Sequence, residues 1–159
     1  MALYTFLTVR QPSPEDMAAA LAEVLGVQAG EVDVADDTDG HRDWTAPVLC
    51  DYTALNGDLA LSWDVRVAPR VGPAPPAEAE AALMLAARLG TTVLHPAGGV
   101  RPSAYWAATP DGVRTRARVL DDDTSGDGPP SLTVDAVEEP VGQLPRARVE
   151  RILEAGQDG

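Results

Sequence analysis

Lysine is missing from all 159 residues, and the twelve basic side chains are all arginine. Schiff-base and lysine-nucleophile chemistry are thereby excluded. Ala, Val, Gly, Pro, Asp and Arg dominate the chain, a usage that suits a high-GC bacterium, so mutational bias accounts for the missing lysine. A single cysteine, Cys50, excludes an intramolecular disulfide and a cysteine-rich zinc site. No run approaches the roughly 18 to 20 apolar residues of a membrane span, and Met1 to Arg10 carries no basic leader, so the expectation is a cytoplasmic protein without membrane contact. Positive charge is scarce as a whole: 12 basic against 25 acidic residues give a net charge of −13 and a pI near 4.3. Such a molecule repels nucleic acid and anionic lipid, and its natural electrostatic complement is a cationic partner.

The chain does hold enough apolar material, 45% of its residues, for one domain spanning residues 1–159 with a proper core. Its 14 Pro and 14 Gly mark a turn-rich α+β chain. Leu3 to Val9 reads as a first strand. Ser13-Pro14-Glu15-Asp16 then writes a helix start, with a Ser cap, Pro at the first helical position and acids in the first turn. Met17, Ala20, Leu21 and Val24 form the apolar stripe of that helix, and Gly26 ends it. Val32 and Val34 mark a short strand. Asn56-Gly57 is the signal of a two-residue hairpin turn, which predicts Tyr52 opposite Leu61, Cys50 opposite Trp63 and Val48 opposite Val65, all facing the core. A second helix follows from Ala77 to Leu89, ended by Gly90, and Thr91 to His95 returns as a strand. The order is compatible with a ferredoxin-like split βαβ core in a mostly antiparallel sheet.

After Gly98-Gly99 the pattern predicts a C-terminal three-stranded meander and a final helix beginning at Leu144-Pro145, with Val149, Ile152 and Leu153 on its packing face. Pro110-Asp111-Gly112 makes the first turn of the meander and puts Trp106 across from Arg116. Keeping the apolar residues on one face then predicts Val119 opposite Leu132 and Arg116 opposite Asp135. That leaves Arg114 and Arg118 as unpaired cations, the candidate contacts for an anion.

The motifs that resemble chemistry fail on inspection. Asp121, Asp123, Ser125 and Gly126 match the opening of a calcium loop, but Leu132 stands where its bidentate Glu belongs. His41-Arg42-Asp43 matches a fragment of a kinase catalytic loop, but Trp44 and Val48 occupy the places of its Leu and Asn. No nucleophile elbow and no phosphate-cradling Gly-rich loop are present, and no cofactor is implied.

Six acids fall in the thirteen residues from Glu31 to Asp43, next to Trp44. Asp36, Asp37, Asp39 and Asp43 with Trp44 make an acidic segment with an aromatic anchor, the combination a small protein needs to occupy a basic surface. The leading expectation is an acidic binding protein that neutralises a basic protein partner, as immunity proteins of bacterial toxin systems do. Two alternatives stand beside it. One is a regulatory domain holding a small ligand on the sheet or between the subunits of a homodimer. The other is a metal-dependent enzyme using Asp39, His41 and Asp43 as ligands.

Overall fold

The computed structural model describes residues 2–36, 44–69, 74–97, 103–121 and 128–152. Ten strands and two α-helices lie among them: β1 Ala2–Thr8, α1 Pro14–Leu25, β2 Val32–Asp36, β3 Val48–Ala54, β4 Asn56–Gly57, β5 Leu61–Val67, α2 Glu78–Leu89, β6 Val93–Pro96, β7 Ala104–Ala108, β8 Arg114–Asp121, β9 Ser131–Val137 and β10 Arg148–Val149. The strands form one sheet in the order β10-β9-β8-β7-β6-β1-β5-β3-β2, with β4 paired to β9. Parallel pairs at β2·β3, β4·β9 and β9·β10 make this mostly antiparallel sheet mixed, and the fold is α+β.

Local chemistry sets the helices. Ser13 Oγ accepts the Asp16 amide at 3.1 Å, Pro14 opens α1, and Gly26 closes it in the left-handed region at φ 70°. Met17, Ala20, Leu21 and Val24 of α1 and Ala81, Ala82, Leu85 and Ala86 of α2 are buried against one face of the sheet. Tyr4, Phe6, Cys50, Trp63 and Val65 supply the strand side of that core, and the Trp63 indole N–H donates to Thr8 Oγ1 at 3.1 Å. A second core of Leu7, Leu59, Leu94, Ala107, Ala117, Val119 and Val134 lies on the opposite face. Alternation along each strand feeds both: Phe6 serves the first and Leu7 the second, Val93 the first and Leu94 the second.

The Asn56-Gly57 segment is not a two-residue turn. Val48, Cys50, Tyr52 and Ala54 stand opposite Val67, Val65, Trp63 and Leu61, two residues beyond the predicted register. A shift of two preserves which face each side chain takes. Val48, Cys50, Trp63, Val65 and Val67 are therefore buried all the same, while Tyr52 is half-buried and Ala54 exposed. On the other face Asp51 lies opposite Asp64, and Arg66 bridges to Asp51 at 3.0 Å. The cause of the longer loop is β9. Asn56 and Asp58 donate their amides to the Pro130 and Leu132 carbonyls at 2.8 and 2.9 Å, and the Asp58 carboxylate accepts the Val134 amide at 2.9 Å. Gly57 is required there, because it adopts φ 93° and an added Cβ would lie 2.3 Å from the Leu132 carbonyl oxygen. Backbone pairing thus runs from β9 through β8, β7, β6, β1 and β5 to β3, and the connection between β3 and β5 returns to β9 through β4.

The helix expected from Leu144-Pro145 is replaced by turns and β10. Arg148 and Val149 pair in parallel with Ala136 and Val137, and the Glu150 amide donates to the Val137 carbonyl at 2.9 Å. An outer edge of β9 left bare would expose a row of unpaired backbone groups, and a short helix could not satisfy them. Ile152 is buried as a packing residue, Val149 is exposed, and Leu153 lies outside the described residues.

Candidate functional site

The turn at Thr109 to Val113 forms as its residues predict: the Thr109 amide donates to the Val113 carbonyl at 2.8 Å, and Gly112 takes φ 88°. Trp106 therefore stands opposite Arg116, with Tyr105 opposite Ala117. Alternation puts Thr115, Ala117 and Val119 in the core and Arg114, Arg116 and Arg118 on the other face. The Arg114 guanidinium carbon lies 3.9 Å from the centre of the Trp106 ring and that of Arg116 lies 5.0 Å from it. Burial, and then the charge of Arg116 beside it, pull the Arg114 guanidinium below its ordinary value.

The next step across the sheet differs from expectation. A bulge between Arg118 and Val119 sets Val119 opposite Val134 and Arg118 opposite Ala136, which leaves Asp135 as the extra residue of β9. Asp135 consequently meets Arg118 and not Arg116. Arg118 Nε donates to Asp135 Oδ2 at 2.9 Å, Arg118 Nη2 contacts both that oxygen and Glu150 Oε1, and Arg148 reaches Asp135 at 3.0 Å. The hydrogen bond from Arg118 holds the Asp135 carboxyl below the usual carboxylate range, and Arg148 adds to the pull against the opposing effect of burial. Arg118, expected to be an unpaired cation, is thus tied into a network with two acids. The sequence offers no sign of Glu150 as a partner, because its local pattern predicts a helix where β10 brings it to β9.

Beside these groups opens a cleft of about 490 Å³, lined among others by Trp106, Arg114, Arg116, Glu138, Glu139, Val149, Glu150 and Arg151. Glu138 Oε2 accepts the Ile152 amide at 2.9 Å, and the Glu139 amide donates to Thr115 Oγ1 at 3.0 Å.

Another polar group escaped the sequence reading. His95, opposite Trp106 on β6, is only 4% exposed. Its Nδ1 faces two acceptors, the Pro96 carbonyl at 3.1 Å and Glu78 Oε1 at 3.5 Å, and so acts as a donor, while Nε2 is left without a partner among the described residues. Glu78 Oε2 accepts the Thr5 amide at 3.0 Å where β6 has parted from β1. His95 is enclosed at this split in the sheet, while the Glu78 side chain is 30% exposed.

Asp36 closes β2, and Trp44, 69% exposed, precedes β3. β2 and β3 run parallel and β2 spans about 13 Å at 3.3 Å per residue, so the end of β2 and the start of β3 lie at opposite ends of the pair. Asp36 and Trp44 thus lie toward opposite ends of it. Asp37, Asp39, His41 and Asp43 lie outside the described residues, as do Asp123, Ser125 and Gly126. Among the described residues, no group of three or more His, Cys, Asp or Glu side chains is placed to hold a metal ion, and no helix is long and apolar enough to cross a membrane.

Set against protein-family models, curated proteins and solved structures, the chain matches none of them.

Proposed function

We propose that this chain is an acidic binding protein that docks a basic macromolecular partner beside the β2 edge of its sheet, with Trp44 as anchor and Asp36, Asp37, Asp39 and Asp43 as the attracting charges. The observation that carries the reading is Trp44, an indole 69% exposed immediately after the acidic run. Aromatic side chains dominate the energy of protein interfaces, while acids set the rate of approach and the choice of partner. A net charge of −13 supports a cationic counterpart. The strand order β6-β1-β5-β3, with a helix in each long connection, supports reading the N-terminal part as a ferredoxin-like split βαβ core, and the successive antiparallel pairs β7·β8 and β8·β9 support reading the remainder as an added meander. On that reading the acidic connection between β2 and β3 is an insertion, the kind of place where a binding function is grafted onto a common scaffold. The mode of action would be that of an immunity protein in a bacterial toxin system.

The test uses a basic partner isolated on the immobilised chain and then purified. Trp44→Ala should weaken binding about tenfold or more, mostly through faster dissociation. Replacing Asp36, Asp37 and Asp39 together by Asn should slow association at low salt, with the difference shrinking once the screening length falls to about 8 Å. Wild-type rates for both variants would remove this surface from the interface, and the reading with it.

A further inference from the structure

On β8, six positions from β2 in the order of the sheet, we infer a second, independent site: the cleft over Trp106 binds a phosphoryl dianion, held by the guanidinium groups of Arg114 and Arg116. Two cations sit on one indole, 3.9 and 5.0 Å from its centre, and the strand register forces them to be neighbours. Like charges so placed repel, and a weak cation–π contact to each is all that the indole returns. In a protein with 25 acids, an arginine pair of this kind would ordinarily be neutralised. Arg66, Arg88, Arg118 and Arg148 are each met by a carboxylate; among the described residues no ion pair reaches Arg10, Arg146, Arg151, Arg114 or Arg116, and only the last two of these share one indole.

The surroundings suit a small anion. A cleft of about 490 Å³ is in the size range of small-molecule sites. Of its three carboxylates, Glu150 is engaged by Arg118 at 3.0 Å, and Glu138 accepts the Ile152 amide. An amide hydrogen bond leaves the Glu138 charge in place, so Glu138 and Glu139 stand as two opposing charges against Arg114, Arg116 and Arg151. Guanidinium forks match the oxygens of a phosphoryl group, and two forks on alternate residues of one strand, about 6.6 Å apart along it, can each take separate oxygens.

The cleft's own indole is the reporter. In a Trp44→Phe protein, the remaining tryptophans are Trp106 and the fully buried Trp63. Titration with inorganic phosphate at constant ionic strength should change the emission saturably, with apparent affinity at least about tenfold weaker in Arg114→Gln and in Arg116→Gln, and unaltered in Arg146→Gln. A tenfold loss corresponds to about 1.4 kcal/mol. A phosphate monoester, glycerol phosphate, run in parallel distinguishes the free ion from an esterified ligand: tighter binding of the ester assigns the site to a phosphorylated metabolite, tighter binding of phosphate to the free ion. Amide shifts in the otherwise unaltered protein keep the test valid should a variant fold poorly, and they should centre on Arg114 to Arg116. No saturable response to either compound at millimolar concentration, equal affinity in all three Gln variants, or shifts centred elsewhere would each overturn the site.

Discussion

Asp135 occupies the extra position of the β8–β9 bulge, and Arg118 and Arg148 share its carboxylate. Its folded pKa is lowered, so the stabilisation is present above the unfolded value near 3.9 and disappears as pH falls through the folded one. Asp135→Asn should cost about 1 kcal/mol at pH 7, the upper end for an ion pair near the surface. Urea denaturation at pH 7 and at about pH 3 checks it, since the difference should shrink toward zero in acid; an equal loss at both would assign the effect to the geometry of the bulge. Tyr4 carries the opposite sign. Burial and then Glu78 raise its phenol above the ordinary value, and its hydroxyl donates to the Pro76 carbonyl at 2.6 Å. Above about pH 10 the unfolded chain ionises first and stability falls. Tyr4→Phe should lose about 1 kcal/mol at neutral pH, and its melting temperature should decline less steeply on the alkaline side than that of the wild type.

Among the elements, those fixed by their own residues could be read in advance. The Ser13 and Gly26 ends of α1, the Gly90 end of α2 and the turn at Gly112 each depend on a few neighbouring positions, and the placing of Trp106 opposite Arg116 followed from that turn alone. What could not be read depends on partners distant along the chain. Nothing near Asn56-Gly57 says that β9 will take its amides, and nothing near Arg148 says that a strand edge outbids a helix. The parity of side chains survives a two-residue displacement, which is why Val48, Cys50, Leu61, Trp63 and Val65 are buried as expected although their partners differ, while Tyr52 is only half-buried and Ala54 is exposed. The one-residue bulge at Asp135 was different in kind, because it reassigned an ion pair and with it the identity of the arginines left on Trp106. For the β4 contact itself, Gly57→Ala should destabilise by about 1–3 kcal/mol, the range for a residue forced into a left-handed backbone. Hydrogen exchange should show the amides of Asn56, Asp58 and Val134 losing protection together; unchanged protection at all three would mean that these bonds hold without Gly57.

For the molecule as a whole, charge and connectivity act on stability from different directions. A net charge of −13 repels itself in the compact state, and raising the ionic strength from 0.01 to 0.15 M shortens the screening length from about 30 to about 8 Å. Sodium chloride over that range should therefore raise the melting temperature; a fall would mean that the Arg118 and Arg66 ion pairs outweigh the general repulsion. The return of β4 to β9 has a consequence in time. Asp58 and Val134, which it brings together, are 76 residues apart in sequence, and the chain between them must be drawn in before the contact forms. Such a contact belongs late in folding, after the strands on either side of it have settled. Stopped-flow measurements on Gly57→Ala should then find refolding close to wild type and unfolding accelerated by nearly the whole loss of stability; slowed refolding would place the contact in the nucleus instead. A contact of that kind governs how long each folded molecule survives and leaves the speed of its formation to the helices and the hairpin.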